Sequence, residues 1–231
     1  RALGVPVGLV QASLGGSPLK DWHPEEDGRL YRGMMWRIDV TGPVGGVIWY
    51  QGCSDANAQD GPAYLTRFTR MVELWREKLG DIPFITAQLN RYIQADTEQD
   101  IFFGVIREAQ RQAARTIPGV CVITTTDLPL SDEIHNSSGA NVIIGERMAT
   151  AALKKFYAKP GISFPDLAGA RLIADNKIVL IMSDPDDMPF NNAGSLARDV
   201  NAQDENGMAA CVSCELGNTI TLTLERPVKL P

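Results

Sequence analysis

Val44-Gly45-Gly46-Val47-Ile48-Trp49-Tyr50-Gln51-Gly52-Cys53-Ser54-Asp55 passes within a few residues from an apolar, β-branched run to amide, glycine and acid. A short apolar run bounded by such turn residues predicts a buried strand. In an open α/β sheet, ligands bind where strands end, because the loops there present side chains and free backbone N–H groups. Gln51 therefore stands at a strand exit, with a side-chain amide able to donate hydrogen bonds.

Further strands are predicted over residues 5–10, 44–50, 83–89 and 120–126, each short, apolar and rich in β-branched or aromatic residues. Between them lie amphipathic helices. Leu65, Phe68, Val72, Trp75 and Leu79 recur at helical spacing; residues 101–115 repeat the pattern through Phe102, Val105, Ile106, Ala109 and Ala113; residues 142–157 do so through Ile143, Met148, Ala152 and Phe156. Apolar strands alternating with such helices imply a parallel sheet covered on both faces. Met34, Met35 and Trp36 read as packing beneath a loop. Arg1-Ala2-Leu3-Gly4 reads as a helix end with its capping glycine. After Pro160 the pattern changes: 172–174 and 177–182 flank the two-residue turn Asp175-Asn176, and 208–214 and 219–225 flank Leu216-Gly217-Asn218. The expected organisation is an α/β core over 1–159 and a β-rich unit over 160–231.

Composition excludes several classes. Net charge is −6, with no basic stripe to displace phosphate counterions, so nucleic acid is not an expected partner. No apolar stretch approaches the roughly 20 residues that span a bilayer, so no membrane partner is expected. The four cysteines do not form a disulfide framework at this chain length. Cys211 and Cys214, three apart on a predicted strand, should point to opposite faces, which disfavours a metal or redox pair.

A second polar cluster, Asp132-Glu133-Ile134-His135, follows the strand run at 120–124 and precedes a helix opening near Ser137. A carboxylate three residues from an imidazole can fix its tautomer and stabilise the imidazolium that forms when the ring takes a proton. Taken alone, Asp-x-x-His reads more readily as a solvated loop or a helix cap; company makes it a candidate. A third loop, Gln11-Ala12-Ser13-Leu14-Gly15-Gly16-Ser17-Pro18, carries paired glycines whose N–H groups can approach a ligand closely. Backbone donors, an amide and an Asp–His pair are parts of an acyl-transfer centre. Gln88, Asn90 and Tyr92 leave another strand and could line the same cleft.

Several stretches carry a specific resemblance: Val5-Pro6-Val7-Gly8-Leu9-Val10-Gln11-Ala12-Ser13 with Gly15-Gly16-Ser17-Pro18 and Trp22; Leu30-Tyr31-Arg32-Gly33-Met34-Met35; Gly46-Val47-Ile48-Trp49-Tyr50-Gln51-Gly52; Ile106-Arg107-Glu108-Ala109-Gln110; and Asp132-x-x-His135 with Gly145 and Arg147. In this order they resemble sialate O-acetylesterase-like proteins, carbohydrate acetylesterases of the SGNH hydrolase superfamily. The resemblance implies a flavodoxin-like three-layer parallel sheet, here lacking its first strand, with a C-terminal antiparallel β unit. It implies hydrolysis of acetyl esters on an O-acetylated carbohydrate, without metal or organic cofactor. By the same resemblance Asp132 orients His135, the base, and Gly15, Gly16 and Gln51 bind the oxyanion; from their strand exit, Gln88 and Tyr92 are the expected substrate contacts. A secreted or periplasmic setting is implied in the same way.

The chain also departs from the family pattern. The nucleophilic serine of the family lies in a Gly-Gln-Ser-Asn type motif on the first strand, and no such motif occurs here. Cys53 stands where Glu is usual, and Asn136 follows His135 where Pro is common. Ser13, Ser17, Ser54, Ser137 and Ser138 lack the strand-to-helix setting of an activated hydroxyl. The expectation is that an N-terminal segment or a second chain supplies the nucleophile strand. The competing reading is a carbohydrate-binding relative that has lost the nucleophile; a lipase or thioesterase of the same superfamily is a further one.

Overall fold

A computed structural model describes all residues except 1, 94–96, 163, 165, 184–199, 218, 230 and 231, and at 97 and 98 the backbone alone. The described chain divides into two compact units, 1–161 and 162–231. Arg1 and Asn218, which belong to an expected helix end and an expected turn, lie outside the described residues.

In the first unit, helix α1 (Arg29–Thr41) precedes strand β1 (Val47–Trp49), followed by α2 (Tyr64–Leu79), β2 (Phe84–Ala87), α3 (Thr97–Thr116), β3 (Val120–Ile123) and α4 (Ser138–Tyr157). The strands form a parallel sheet in the order β1-β2-β3, with Val47 opposite Phe84 and Phe84 opposite Val120. Each strand is followed by a helix because parallel neighbours need a long crossover connection. α2 shows the logic: Tyr64, Phe68, Met71, Val72 and Trp75 fall on one stripe and are buried, while Arg70, Glu73 and Glu77 face solvent in an ion-pair network with Glu25. Trp75 packs edge-on against Trp49, Phe84 lies beneath it, and its indole N–H donates to the Trp22 carbonyl at 3.1 Å. Burying an aromatic ring of this size removes roughly 200 Å² from water, about 5 kcal/mol of transfer free energy. This aromatic cluster sits directly beneath the exit of β1 and holds that exit in place.

The structure corrects several expectations. Residues 5–10 pair with no strand among the described residues and remain exposed, with Leu9 81% accessible. An apolar extended segment becomes a strand only when a neighbour supplies ladder hydrogen bonds, and this one lacks such a neighbour. α1 was not expected. It buries Met34 and Ile38 and turns Trp36 and Val40 outward, so Trp36 is not packing beneath a loop. The expected strands over 44–50, 83–89 and 120–126 are shorter than the apolar runs: the first loses 44–46 at its start and Tyr50 at its end, the second Pro83 and 88–89, and the third its last three residues, which already turn into a polar loop.

The second unit is an antiparallel sheet ordered β4-β5-β8-β7-β6, with β4 Leu167–Ala174, β5 Lys177–Met182, β6 Asn201–Asp204, β7 Gly207–Leu216 and β8 Ile220–Leu224. Asp175-Asn176 forms the turn of the β4–β5 hairpin as expected, whereas β6 was not foreseen. Ile178, Ala209, Cys211, Ile220, Leu222, Leu224 and Val228 make this unit's own core. The opposite-face argument for Cys211 and Cys214 fails. A register shift between Cys211 and Ser213 leaves both Val212 and Ser213 exposed and returns Cys214 to the core face that Cys211 occupies. A β-bulge inserts one residue and so reverses the in–out alternation beyond it. Both thiols are free.

Candidate active site

The loops that leave the sheet are tied together by side chains. After β1 the backbone turns at Gly52, whose φ of 144° lies outside the range favoured by other residues. Cys53–Asp55 then form a short 3₁₀ turn that carries the Asp55 carboxyl group out of contact with solvent. One Asp55 oxygen accepts from the Leu19 N–H at 2.9 Å and from the Gln51 amide; the other stands 3.6 Å from Arg67. Burial pushes the Asp55 carboxyl pKa up, and the hydrogen bonds from Gln51 and Leu19, with the Arg67 charge, oppose that shift. The Gln51 amide also donates to the Ser17 carbonyl at 3.1 Å, and its own oxygen accepts from the Tyr64 hydroxyl at 3.0 Å. Both hydrogens of the Gln51 amide thus have protein acceptors, and Gln51 ties the glycine loop to the exit of β1.

The glycine loop is ordered by Ser17. Its hydroxyl donates to the Leu14 carbonyl at 2.8 Å and accepts from the Trp22 indole at 2.9 Å. Gly15 and Gly16 between these anchors are exposed, and Gly16 has a φ of 69°. Ser17 is therefore a buried structural hydroxyl. Ser137 is engaged as well, accepting from the Ala140 N–H as the N-cap of α4.

The third loop holds the acid–base pair. Asp132 accepts the backbone N–H groups of Ile134 and His135 at 2.9 and 2.8 Å and meets His135 Nδ1 at 2.8 Å. These backbone bonds, and then the imidazole, hold the Asp132 carboxyl at about 2, well below its ordinary value. A carboxylate only accepts, so Nδ1 carries a hydrogen, and in the neutral ring Nε2 then presents its lone pair. The imidazole is 71% exposed, beside a recess lined by Ile93, Leu130, Ser131, Glu133 and Ile134. Among the described residues no protein group bonds to Nε2.

The His135 loop meets the Gln51 loop through Asn136, whose amide donates to the Tyr50 hydroxyl at 2.8 Å and accepts from Asn90 at 2.6 Å. Gln110, buried on α3, bridges the exits of β1 and β2 by donating to the Gln51 carbonyl and accepting from Leu89 N–H. The loops bearing Gly15–Gly16, Gln51 and Asp132–His135 are thus connected by hydrogen bonds. Gln88 and Tyr92 are placed differently. The Gln88 amide donates to the Arg107 carbonyl on α3, and the Tyr92 ring packs against Phe103 at 5.1 Å. Sequence reading passed over Asp55, Tyr50 and Asn136 as working residues; an acid four places after a strand-exit Gln was the available signal for the first.

Comparison with solved structures places the chain beside a carbohydrate acetylesterase from Xanthomonas citri, with a TM-score of 0.78 at 23% identity, over 98% of this chain and 55% of that one. The chain thus spans about half the length of that enzyme. A protein from Arabidopsis thaliana matches with a TM-score of 0.52 at 27% identity, over 62% of this chain and 58% of that one. No curated protein sequence matches. The first of these structures shares this chain's fold, an α/β unit with a parallel sheet followed by an antiparallel unit. Residues 1–154 match the family described as carbohydrate esterase, sialic acid-specific acetylesterase, and the chain belongs to that family.

Proposed function

We propose that this chain carries the acid–base and oxyanion-binding parts of a carbohydrate O-acetylesterase that works through Ser, His135 and Asp132, with the serine contributed by polypeptide outside these residues. The observation that carries this reading is the Asp132–His135 pair, with Nδ1 bound to carboxylate and Nε2 open beside the linked loops. His135 Nε2 takes the serine proton as the hydroxyl oxygen attacks the acetyl carbonyl, and Asp132 stabilises the imidazolium. The same proton passes to the departing sugar oxygen as the C–O bond breaks, leaving an acetyl-enzyme. Water, deprotonated by His135, then releases acetate and restores the serine. The exposed Gly15–Gly16 backbone supplies N–H donors to the oxyanion. Gln51 contributes by fixing that loop through the Ser17 carbonyl, since its amide hydrogens are engaged.

Two features favour a contributed strand. Among the described residues β1 pairs only with β2, so its other edge is unpaired there, and Val5, Val7 and Leu9 are exposed on an extended segment. The test is acetate release from an O-acetylated sugar by the longest natural polypeptide containing this chain. His135→Ala in that protein is expected to lower kcat by on the order of 10³-fold or more. Sugar binding without acetate release would instead select the non-catalytic relative.

A further inference from the structure

The Asp132–His135 pair sets the imidazole relative to its own loop. It does not set the loop relative to the rest of the site. Both groups of this contact stay in water, so it contributes little to holding the loop in place. The loop closes on itself through an antiparallel bridge between Leu130 and Asn136, with Ser131 N–H donating to the His135 carbonyl and Ser137 N–H to the Pro129 carbonyl. Those bonds are again local. Beyond the loop, the Glu133 carbonyl accepts from the Ile93 N–H at 3.1 Å and Ile134 packs against the core; the side chain that hydrogen-bonds to both strand exits is Asn136. Its amide hydrogen goes to the Tyr50 hydroxyl, one residue before Gln51, and its oxygen accepts from Asn90, just past β2.

Asn90 is fixed in turn. It is buried, donates also to the Leu128 carbonyl at 3.3 Å, and accepts the Arg91 N–H at 2.8 Å. One amide, adjacent in sequence to the proposed base, is therefore bonded at once to the exits of two neighbouring strands. We propose that Asn136, acting through Tyr50 and Asn90, is a positioning residue that holds the His135 loop, and with it the imidazole, against the exits of β1 and β2. This rests on the reading of His135 as general base.

The chain has only two histidines, and His23, buried at 4% exposure with its Nδ1 accepting from the Glu25 N–H, serves as an internal control. The experiment is ¹⁵N relaxation of the backbone amides 131–137 and of both imidazoles in the chain as it stands. Asn136→Ala and Tyr50→Phe should each drop the order parameters of 131–137 towards the flexible range below about 0.6, leaving the His23 signals unchanged. Asn136→Asp should keep them high, because its oxygens can accept from Asn90 and from a Tyr50 hydroxyl turned to donate. In the acetate-releasing polypeptide, Asn136→Ala should lower kcat on the order of 10²-fold with little change in KM. Unchanged order in both variants, or loosening that spreads to His23, would overturn the proposal. If no polypeptide containing the chain releases acetate, the catalytic reading of His135 fails, while the relaxation measurements still decide whether Asn136 anchors the loop.

Discussion

With its side chain shut away from water, Asp55 accepts from Leu19 and Gln51 and faces Arg67, which in turn pairs with Glu26 and Asp60. Asp55→Ala would strand two donors and remove the buried partner of a guanidinium. The expected loss is about 3–5 kcal/mol, read from urea unfolding. Asp132 is a contrasting carboxylate, exposed and held low by backbone N–H groups. Its folded pKa of about 2 lies below the unfolded value near 3.8, so its contribution to order in the loop is complete above that higher value. That contribution fades as pH falls towards 2. A carboxyl ¹³C titration of Asp132 should show a midpoint near 2, with exchange protection of the Ile134 and His135 amides falling over the same range. A midpoint near 4 would mean that the backbone N–H bonds do not form in solution.

Between β1 and α3 the contact is too close for any side chain at position 52. A Cβ on Gly52 would stand 2.7 Å from the Ile106 side chain, and its φ of 144° is unfavourable for other residues. Ile106 is fully buried and cannot withdraw. Gly52→Ala should therefore cost on the order of 3 kcal/mol, measured as a lower midpoint of chemical denaturation. The same contact accounts for Gln110, since α3 approaches closely enough for its amide to reach the Gln51 carbonyl at 2.9 Å. Helices with strong stripes, such as α2 and α3, were readable because the periodicity repeats over several turns. α1 was not, since Gly33 interrupts it and its outer face carries Trp36 and Val40, which blur the contrast between faces. In β7 the alternation of apolar and polar residues changes phase at the bulge, and that shift depends on pairing with β8.

For the molecule as a whole, exposed apolar side chains stand out: Val5, Val7, Leu9, Trp36, Val40 and Ile48. Exposed apolar surface together with an unpaired strand edge promotes association. The chain by itself should bind a hydrophobic dye such as ANS and sediment partly as oligomers. A longer natural polypeptide that contributes the pairing strand should bind less dye and melt at a higher temperature. Equal dye binding by both would count against a strand completing the sheet beside β1. The second unit has a separate core and an internal ion pair, Arg226 with Asp204 at 2.8 Å.

Strand–helix alternation, the loops that follow the strands, the Asp-x-x-His pair and the family could all be read from the chain in order. Each depends on residues close in sequence, whose spacing sets which face of an element they share. That the Gln51 amide reaches the Ser17 carbonyl, what Asn136 reaches and which way Cys214 faces were decided only in three dimensions. Those outcomes depend on partners 34, 86 and 46 residues away, or on a pairing register set by another strand. Local pattern carries no information about such distances, so the residues that bind the loops together become visible only once the sheet has gathered them.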